Sequence, residues 1–411
     1  MTPSLKNLRI SRDWVIALGF GTLAALFRFW NLGLPKGKIF DELYYATDAY
    51  SLLLSGVEVD AQSGEGEFIA HPPVGKWLIA IGIKLFGYNE FGWRFSAALV
   101  GSISVVLMYF TAKKLFSNQM LSIFAAVLIL ADGLHLVHSR TALLDIFLLL
   151  FIQLAVLAFL SNKYWLTGLA LGLAIATKWN GLYLLLVLAL LVLILDFRRF
   201  RYLGYENSMA KVISKKLLTR FTQFAVIPLI TYVASWAGWF ASSVGWDRNW
   251  SSNPFKSLWH YHYEILNFHT TLTVTHPYEA GPLGWLIMRR PTSFLYETPD
   301  NCGVSKCAQE VLALGTPILW WAATIALVAT IWLWIDTEDF QAGILLAVIG
   351  ALYLPWFLFP QRTMFTFYAL TFQPFLLLTL VYLLSKIERN QLRIAIIFGA
   401  IVVANFLYFT P

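Results

Sequence analysis

Asp41 and Glu42 are consecutive carboxylates in a polar stretch just after the first apolar run of the chain, followed by Tyr44-Tyr45 and then His71-Pro72-Pro73-Val74-Gly75-Lys76. A carboxylate left unpaired in hydrocarbon is costly, so the pair is expected in a wet cavity at a membrane surface. There a carboxylate can act as a general base. A hydroxyl is a poor nucleophile near neutral pH, and a base within hydrogen-bond reach typically contributes roughly 10²–10⁴-fold. Lys76, Arg94, Arg140, Lys178 and Arg362 stand in separate polar segments, with His71 as a further donor. A phosphate-bearing leaving group would need fixed positive charge more than a general acid, because Arg or Lys can meet its developing charge directly. Several cations converging on two carboxylates is the layout expected of such a transfer.

Each residue also has a structural alternative. Asp41 is expected as the base, with Glu42 as base or as a hydrogen-bonding orienter, and a helix N-cap as the bland reading of the pair. Arg94 and Arg140 either bind phosphate or anchor helix ends to headgroups. Lys76 and Lys178 divide the same way, and His71, ahead of Pro-Pro, either contacts substrate or fixes a turn. Asp145 lies about one turn inside an apolar run, where it is expected to pair with Arg140 or another cation and hold the site together.

The elements that must position these residues are membrane helices. Of 411 residues, 58% are hydrophobic, 16% aromatic and only 13% charged, with a mean hydropathy of +0.65. This excludes an ordinary soluble protein. Net charge is +7, but the basic run from Arg198-Arg199-Phe200-Arg201 to Lys215-Lys216 and Arg220 reads as a topology signal and headgroup contact, not as nucleic-acid binding. Eleven apolar runs fit a bilayer: 14–34, 95–112, 119–136, 141–160, 164–177, 181–196, 222–241, 313–335, 341–359, 364–385 and 393–410. With a cytoplasmic N-terminus, eleven crossings put the basic loops inside and every residue named above except Asp145 in the outer-face segments. The first run, which lacks a cleavage site of small residues, is expected to be an uncleaved anchor.

Two outer segments exceed a turn, 35–94 and 242–312. The second holds Trp246, Trp250, Trp259, Tyr261 and Tyr263, with a helix expected over 258–270 lying in the membrane interface. Cys302 and Cys307 are the only cysteines. On an oxidising outer face they are expected to form a small-loop disulfide. His260, His262, His269 and His276 are read as docking or acceptor contacts. No metal or cofactor is expected, since adjacent carboxylates are not the Asp-x-Asp pattern that clamps a divalent ion on a nucleotide sugar.

Phe40-Asp41-Glu42-Leu43-Tyr44-Tyr45, His71-Pro72-Pro73-Val74-Gly75-Lys76, Gly92-Trp93-Arg94, Ser139-Arg140 with Leu143-Leu144-Asp145, Lys178-Trp179-Asn180-Gly181, His276-Pro277-Tyr278 and Gln361-Arg362-Thr363-Met364-Phe365 follow one another in that order. The series resembles the protein O-mannosyltransferases, specifically the shorter actinobacterial-type branch, over nearly the whole chain. The resemblance implies an all-α polytopic GT-C fold and a polyprenyl-phosphate-mannose donor. It also implies inverting transfer of mannose to Ser or Thr hydroxyls of proteins crossing the cell membrane, with the site on the extracytoplasmic face. Asp41 and Glu42 then stand at the catalytic positions, and Arg94, Arg140, Lys76, His71, Lys178 and Arg362 at the donor side. Segment 242–312 is too short for the β-trefoil MIR domain of eukaryotic relatives, so one membrane domain over 1–411 is expected. Bacterial relatives usually continue with a C-terminal tail where this sequence stops at Pro411, so either the tail is absent or the sequence is a fragment.

Two rivals remain. Another GT-C enzyme could move a polyprenyl-phosphate sugar onto a lipid or cell-wall glycan. A secondary transporter would instead show paired repeats and broken helices near the midplane.

Overall fold

The computed structural model of the chain describes residues 11–60, 62–299 and 307–410. It is largely helical. In chain order the first elements are α1 (Arg12–Phe29), α2 (Glu42–Ser55), α3 (Val74–Phe86), α4 (Glu90–Phe116), α5 (Gln119–Leu130), α6 (Gly133–His138), α7 (Leu144–Leu160), α8 (Tyr164–Ile175) and α9 (Gly181–Tyr202). Further helices cover Leu217–Ser235, with a π-helical stretch at Thr222–Val226, then Pro254–Thr271, Pro317–Thr337, Phe340–Tyr353, Gln373–Ser385 and Gln391–Phe409. One antiparallel hairpin, β1 (Thr292–Glu297) and β2 (Gln309–Ala313), interrupts the helices.

Every expected span falls on a helical stretch. Among the described residues, six helices are long and apolar enough to cross a membrane: Glu90–Phe116, Gly181–Tyr202, Leu217–Ser235, Pro317–Thr337, Phe340–Leu358 and Gln391–Phe409. Four more are apolar but shorter, and α1 carries Arg12, Asp13 and Arg28. The expected helix over 258–270 is present as Pro254–Thr271, started by Pro254 and capped by the Asn253 side chain on the Phe255 N–H. The Cys302–Cys307 pairing involves Cys302, which lies outside the described residues.

Segment 35–94, read from sequence as an outer loop, contains two helices the sequence reading did not resolve. The two pack on each other, and α3 lies along α4. α3 buries Val74, Gly75, Lys76, Ile79, Ala80, Gly82 and Ile83 and leaves Trp77, Ile81 and Leu85 exposed. Apolar residues on both faces hid its period.

The centre of the molecule is α4 and α7. α4 packs against α1, α3, α5 and α7, and α7 is buried along most of its length. Two contacts then seat the His71–Lys76 segment on the bundle. The Val74 N–H donates to the Ala176 carbonyl at 3.0 Å, and Gly75 packs so closely that a Cβ there would come within 2.7 Å of the Leu144 side chain and 3.1 Å of Thr177. Glycine at this one position brings the start of α3 against the residues flanking Asp145 and Lys178.

Candidate active site

Consecutive residues at a helix start point in directions about 100° apart, and Asp41 and Glu42 have opposite surroundings. Glu42 is fully buried. Its Oε1 accepts from Arg94 Nε at 2.8 Å and from the Ala142 N–H at 2.9 Å, and its Oε2 from Arg94 Nη2 at 2.8 Å and the Ile39 N–H at 3.0 Å. Arg94, also fully buried, gives its remaining bonds to the carbonyls of Leu32 (3.4 Å), Pro35 (2.8 Å) and Gly37 (3.1 Å). A buried ion pair is tolerated only when both partners are this fully satisfied. Arg94 therefore has no donor left for a phosphate, and the expectation that it contacts the donor gives way to a brace joining α2, α4 and the 32–39 connection. Glu42 belongs to the same brace and has no lone pair turned to a hydroxyl.

Two other expected phosphate ligands are also turned to the protein. Arg140 Nη1 donates to the carbonyls of Phe27 (2.8 Å), Arg28 (3.1 Å) and Trp30 (2.7 Å), and Nη2 to Asn31 (3.3 Å). It caps the C-terminal end of α1, where carbonyls lack helical partners. Lys76, 1% exposed, is held by Glu58 and by Asp48 at 3.5 Å.

Asp41 is different. Its carboxylate has no side-chain capping bond and no other hydrogen bond among the described residues. It is part-exposed. Burial pushes the carboxyl up to about 6, Lys178 pulling against this and Asp145 adding to it. Lys178, on the α8–α9 connection, lies 3.1 and 3.2 Å from the two Asp145 oxygens and 4.6 Å over the Tyr368 ring. Asp145 thus pairs with Lys178 and not with Arg140. Beside Asp41, Phe40 takes a left-handed φ of +47° and stacks on Phe294 with centroids 4.5 Å apart, a strained backbone held by aromatic packing.

From Lys178 the site opens into a cavity of ≈ 100 Å³ lined by His71, Trp179, His269, Trp356 and Arg362. Arg362 Nη1 donates to the His269 carbonyl at 3.1 Å, its plane lies 5.9 Å from the Trp356 ring, and its buried Nε has no partner among the described residues. The His71 and His269 rings are 5.0 Å apart. His269 Nε2 donates to the Ala70 carbonyl at 2.8 Å, which leaves Nδ1 without a partner among the described residues. Burial first, then Arg362, lowers His269 to about 4. Burial, with Lys178 next, lowers His71 well below the usual imidazole range. The cavity is a neutral-imidazole, two-cation receptor with donors to spare. An anion fits it.

His269 was read from sequence only as a docking or acceptor contact, and Trp356 and Tyr368 were not singled out. A usable signal existed: His262 and His269 are seven apart and share one helix face, and both rings approach Trp179, at 6.0 and 6.1 Å. His262 is already bonded to Tyr232 Oη and the Leu258 carbonyl. Among the described residues no group of three His, Cys, Asp or Glu could hold a metal ion.

The family model for dolichyl-phosphate-mannose–protein mannosyltransferase matches residues 20–240, and that for the C-terminal four-helix membrane region of protein O-mannosyltransferase matches residues 254–411. A polyprenol-phosphate-mannose–protein mannosyltransferase of Mycolicibacterium smegmatis is 34% identical, with 100% of this chain and 91% of that protein covered. The protein of that name in Mycobacterium tuberculosis is 32% identical over 97% of this chain and 88% of its own. The S. cerevisiae protein O-mannosyltransferase Pmt1-Pmt2 complex, solved bound to the sugar donor, superposes with a TM-score of 0.77 at 15% identity, covering 99% of this chain and 90% of that one. That likeness concerns the fold. Family models that match both halves of the chain, and relatives at 32% and 34% identity over nearly all of it, lead to one conclusion: the chain belongs to the dolichyl-phosphate-mannose–protein mannosyltransferase family, and it is a multi-pass membrane glycosyltransferase of protein O-mannosylation.

Proposed function

We propose that the protein transfers mannose from a polyprenyl-phosphate-mannose to Ser or Thr hydroxyls of proteins crossing the membrane, at the extracytoplasmic face and with inversion at the anomeric carbon. The observation that carries this reading is an unbonded carboxylate, Asp41, coupled through Lys178 to a cation-lined cavity that can take a phosphate. Asp41 accepts the hydroxyl proton as the oxygen attacks C1. The C1–O bond to phosphate breaks, and its electron pair goes to the phosphate oxygen, where Lys178 and Arg362 meet the charge. Attack opposite the leaving group by one oxygen gives inversion. Asp145 holds Lys178, and the Glu42–Arg94 brace fixes where α2 begins.

Eleven crossings with a cytoplasmic N-terminus keep Asp41, Lys178 and Arg362 on one side. Lys38→Cys, Lys178→Cys and Arg362→Cys should each react with an impermeant thiol reagent added outside, and Lys211→Cys only after permeabilisation. Reaction at 211 in intact cells with 178 closed to the reagent would overturn this topology. The function itself is tested by incubating membranes with labelled polyprenyl-phosphate-mannose and a Ser/Thr peptide. Label in the peptide, with the anomer opposite to that of the donor, is expected. Label confined to lipid or glycan would move the chain to a different acceptor class.

A further inference from the structure

A second, larger cavity of ≈ 720 Å³ shares Trp356 and Arg362 with the first and adds Arg289 and Arg290. Both of these arginines are exposed, and neither guanidinium has a hydrogen bond or ion pair among the described residues. Their backbone, in contrast, is tied down. The Thr366 hydroxyl donates to the Arg289 and Arg290 carbonyls at 2.7 and 3.1 Å, the Arg289 N–H reaches the Gly284 carbonyl at 2.8 Å, and Met288 and Arg290 take left-handed φ of +55° and +52°. Strained backbone fixed in this way holds two consecutive cations at one rim. The one carboxylate lining the cavity, Glu279, faces the His276 N–H at 3.3 Å. The lining also presents exposed apolar side chains, Leu283 at 75% and Phe357 at 41% exposed.

The proposed reaction changes the charge of its lipid. A mannosyl phosphodiester carries one negative charge, and the monoester released carries about 1.5 to 2 near pH 7 because its second ionisation lies near 6. A site with three arginines, two of them unengaged, favours the more highly charged species. Exposed apolar side chains suit an isoprenoid chain. We propose that this cavity is a docking site for the polyprenyl phosphate product, to which Arg362, common to both cavities, passes the phosphate after transfer. The proposal rests on the function given above, because that reaction releases a lipid phosphomonoester at this site.

The test compares the wild type with an Arg289→Gln/Arg290→Gln double variant whose melting temperature is checked first. Polyprenyl phosphate should inhibit transfer roughly tenfold more weakly in the double variant, with the donor KM little changed, and Arg289→Lys/Arg290→Lys should recover part of the difference. Unchanged inhibition, or a donor KM that rises in step with it, would overturn the proposal. Calorimetric titration of a short-chain polyprenyl phosphate, inorganic phosphate and the neutral prenol into the purified protein, with no donor or acceptor present, reads the cavity independently of transfer. Binding only of the polyprenyl phosphate, weakened by the double variant, is expected. Equal binding of inorganic phosphate would remove the lipid from the assignment. A protein that transfers no mannose yet shows the arginine-dependent binding would refute the function and leave the lipid-phosphate site standing.

Discussion

Arg94 spends every N–H on Glu42 and three backbone carbonyls, whereas Arg362 gives one bond to the His269 carbonyl and leaves its Nε without a partner. Both lie in motifs of the same series, and both were expected at the phosphate. The difference is one of unspent hydrogen-bonding capacity. A guanidinium whose donors are satisfied inside the protein stabilises the fold, and one with donors left over can bind. Asp41 and Glu42 divide along the same line.

The largest effect expected is at Asp41. Asp41→Asn keeps the shape and removes the proposed base, so turnover should fall by roughly 10²–10⁴ or more while donor binding and folding persist. Near-normal turnover in that variant would break the division between the two carboxylates. The same substitution has a stability signature. A carboxyl raised to about 6 in the folded state, above its ordinary 3.8, contributes stability that is present below the unfolded value and is lost as pH rises through the folded one. Asp41→Asn should therefore melt higher than wild type at pH 7 and alike below pH 4. In the wild type, kcat/KM should decline about tenfold per unit as pH falls below about 6.

Next comes the brace. Glu42→Gln or Arg94→Ala leaves a buried partner uncompensated, at a cost of about 3–5 kcal/mol. Loss of the folded population in detergent-solubilised protein is expected, with activity lost in proportion. A Glu42→Gln protein that folds normally but transfers nothing would return Glu42 to the chemistry. Arg362→Gln should act on binding instead, raising the donor KM roughly tenfold with a smaller change in kcat, and Arg362→Lys should restore it only in part, since an ammonium lacks the planar fork. Full rescue by lysine would mean a diffuse field and no directed contact. The smallest change is expected from Arg140→Gln, which removes a cation at the α1 C-terminus worth about 0.3–1 kcal/mol and should leave the donor KM unchanged.

Much of this site was legible in the sequence. Asp41, His71, Lys178 and Arg362 were all named from residue type and polar context, and Asp145 was read as partner of a cation. What sequence could not supply was which cation pairs with which acid. Arg94, Arg140 and Lys76 have the same charge as Lys178 and Arg362, yet their partners lie as far away in the chain as Glu42 from Arg94 or Arg140 from the end of α1. Only tertiary packing decides that. Apolar stretches located the long helices well, because length and hydropathy are local properties. α2 and α3 escaped because a helix that is apolar on several faces and flanked by polar loops shows no clean period.

The bonds from Arg94 to the carbonyls of Leu32, Pro35 and Gly37 carry one further implication. Carbonyl oxygens are common to all amino acids, so what Arg94 recognises in the 32–39 connection is a path of the chain and not a set of side chains. Apart from Gly37, whose φ of +78° favours glycine, and Leu32 and Ile39, whose side chains are buried, this stretch should vary in composition among related proteins while its residue count stays fixed. Adding or removing one residue would move the carbonyls out of reach and turn the start of α2, taking Asp41 off its line to Lys178. The connection behaves as a ruler, read by its length more than by its spelling.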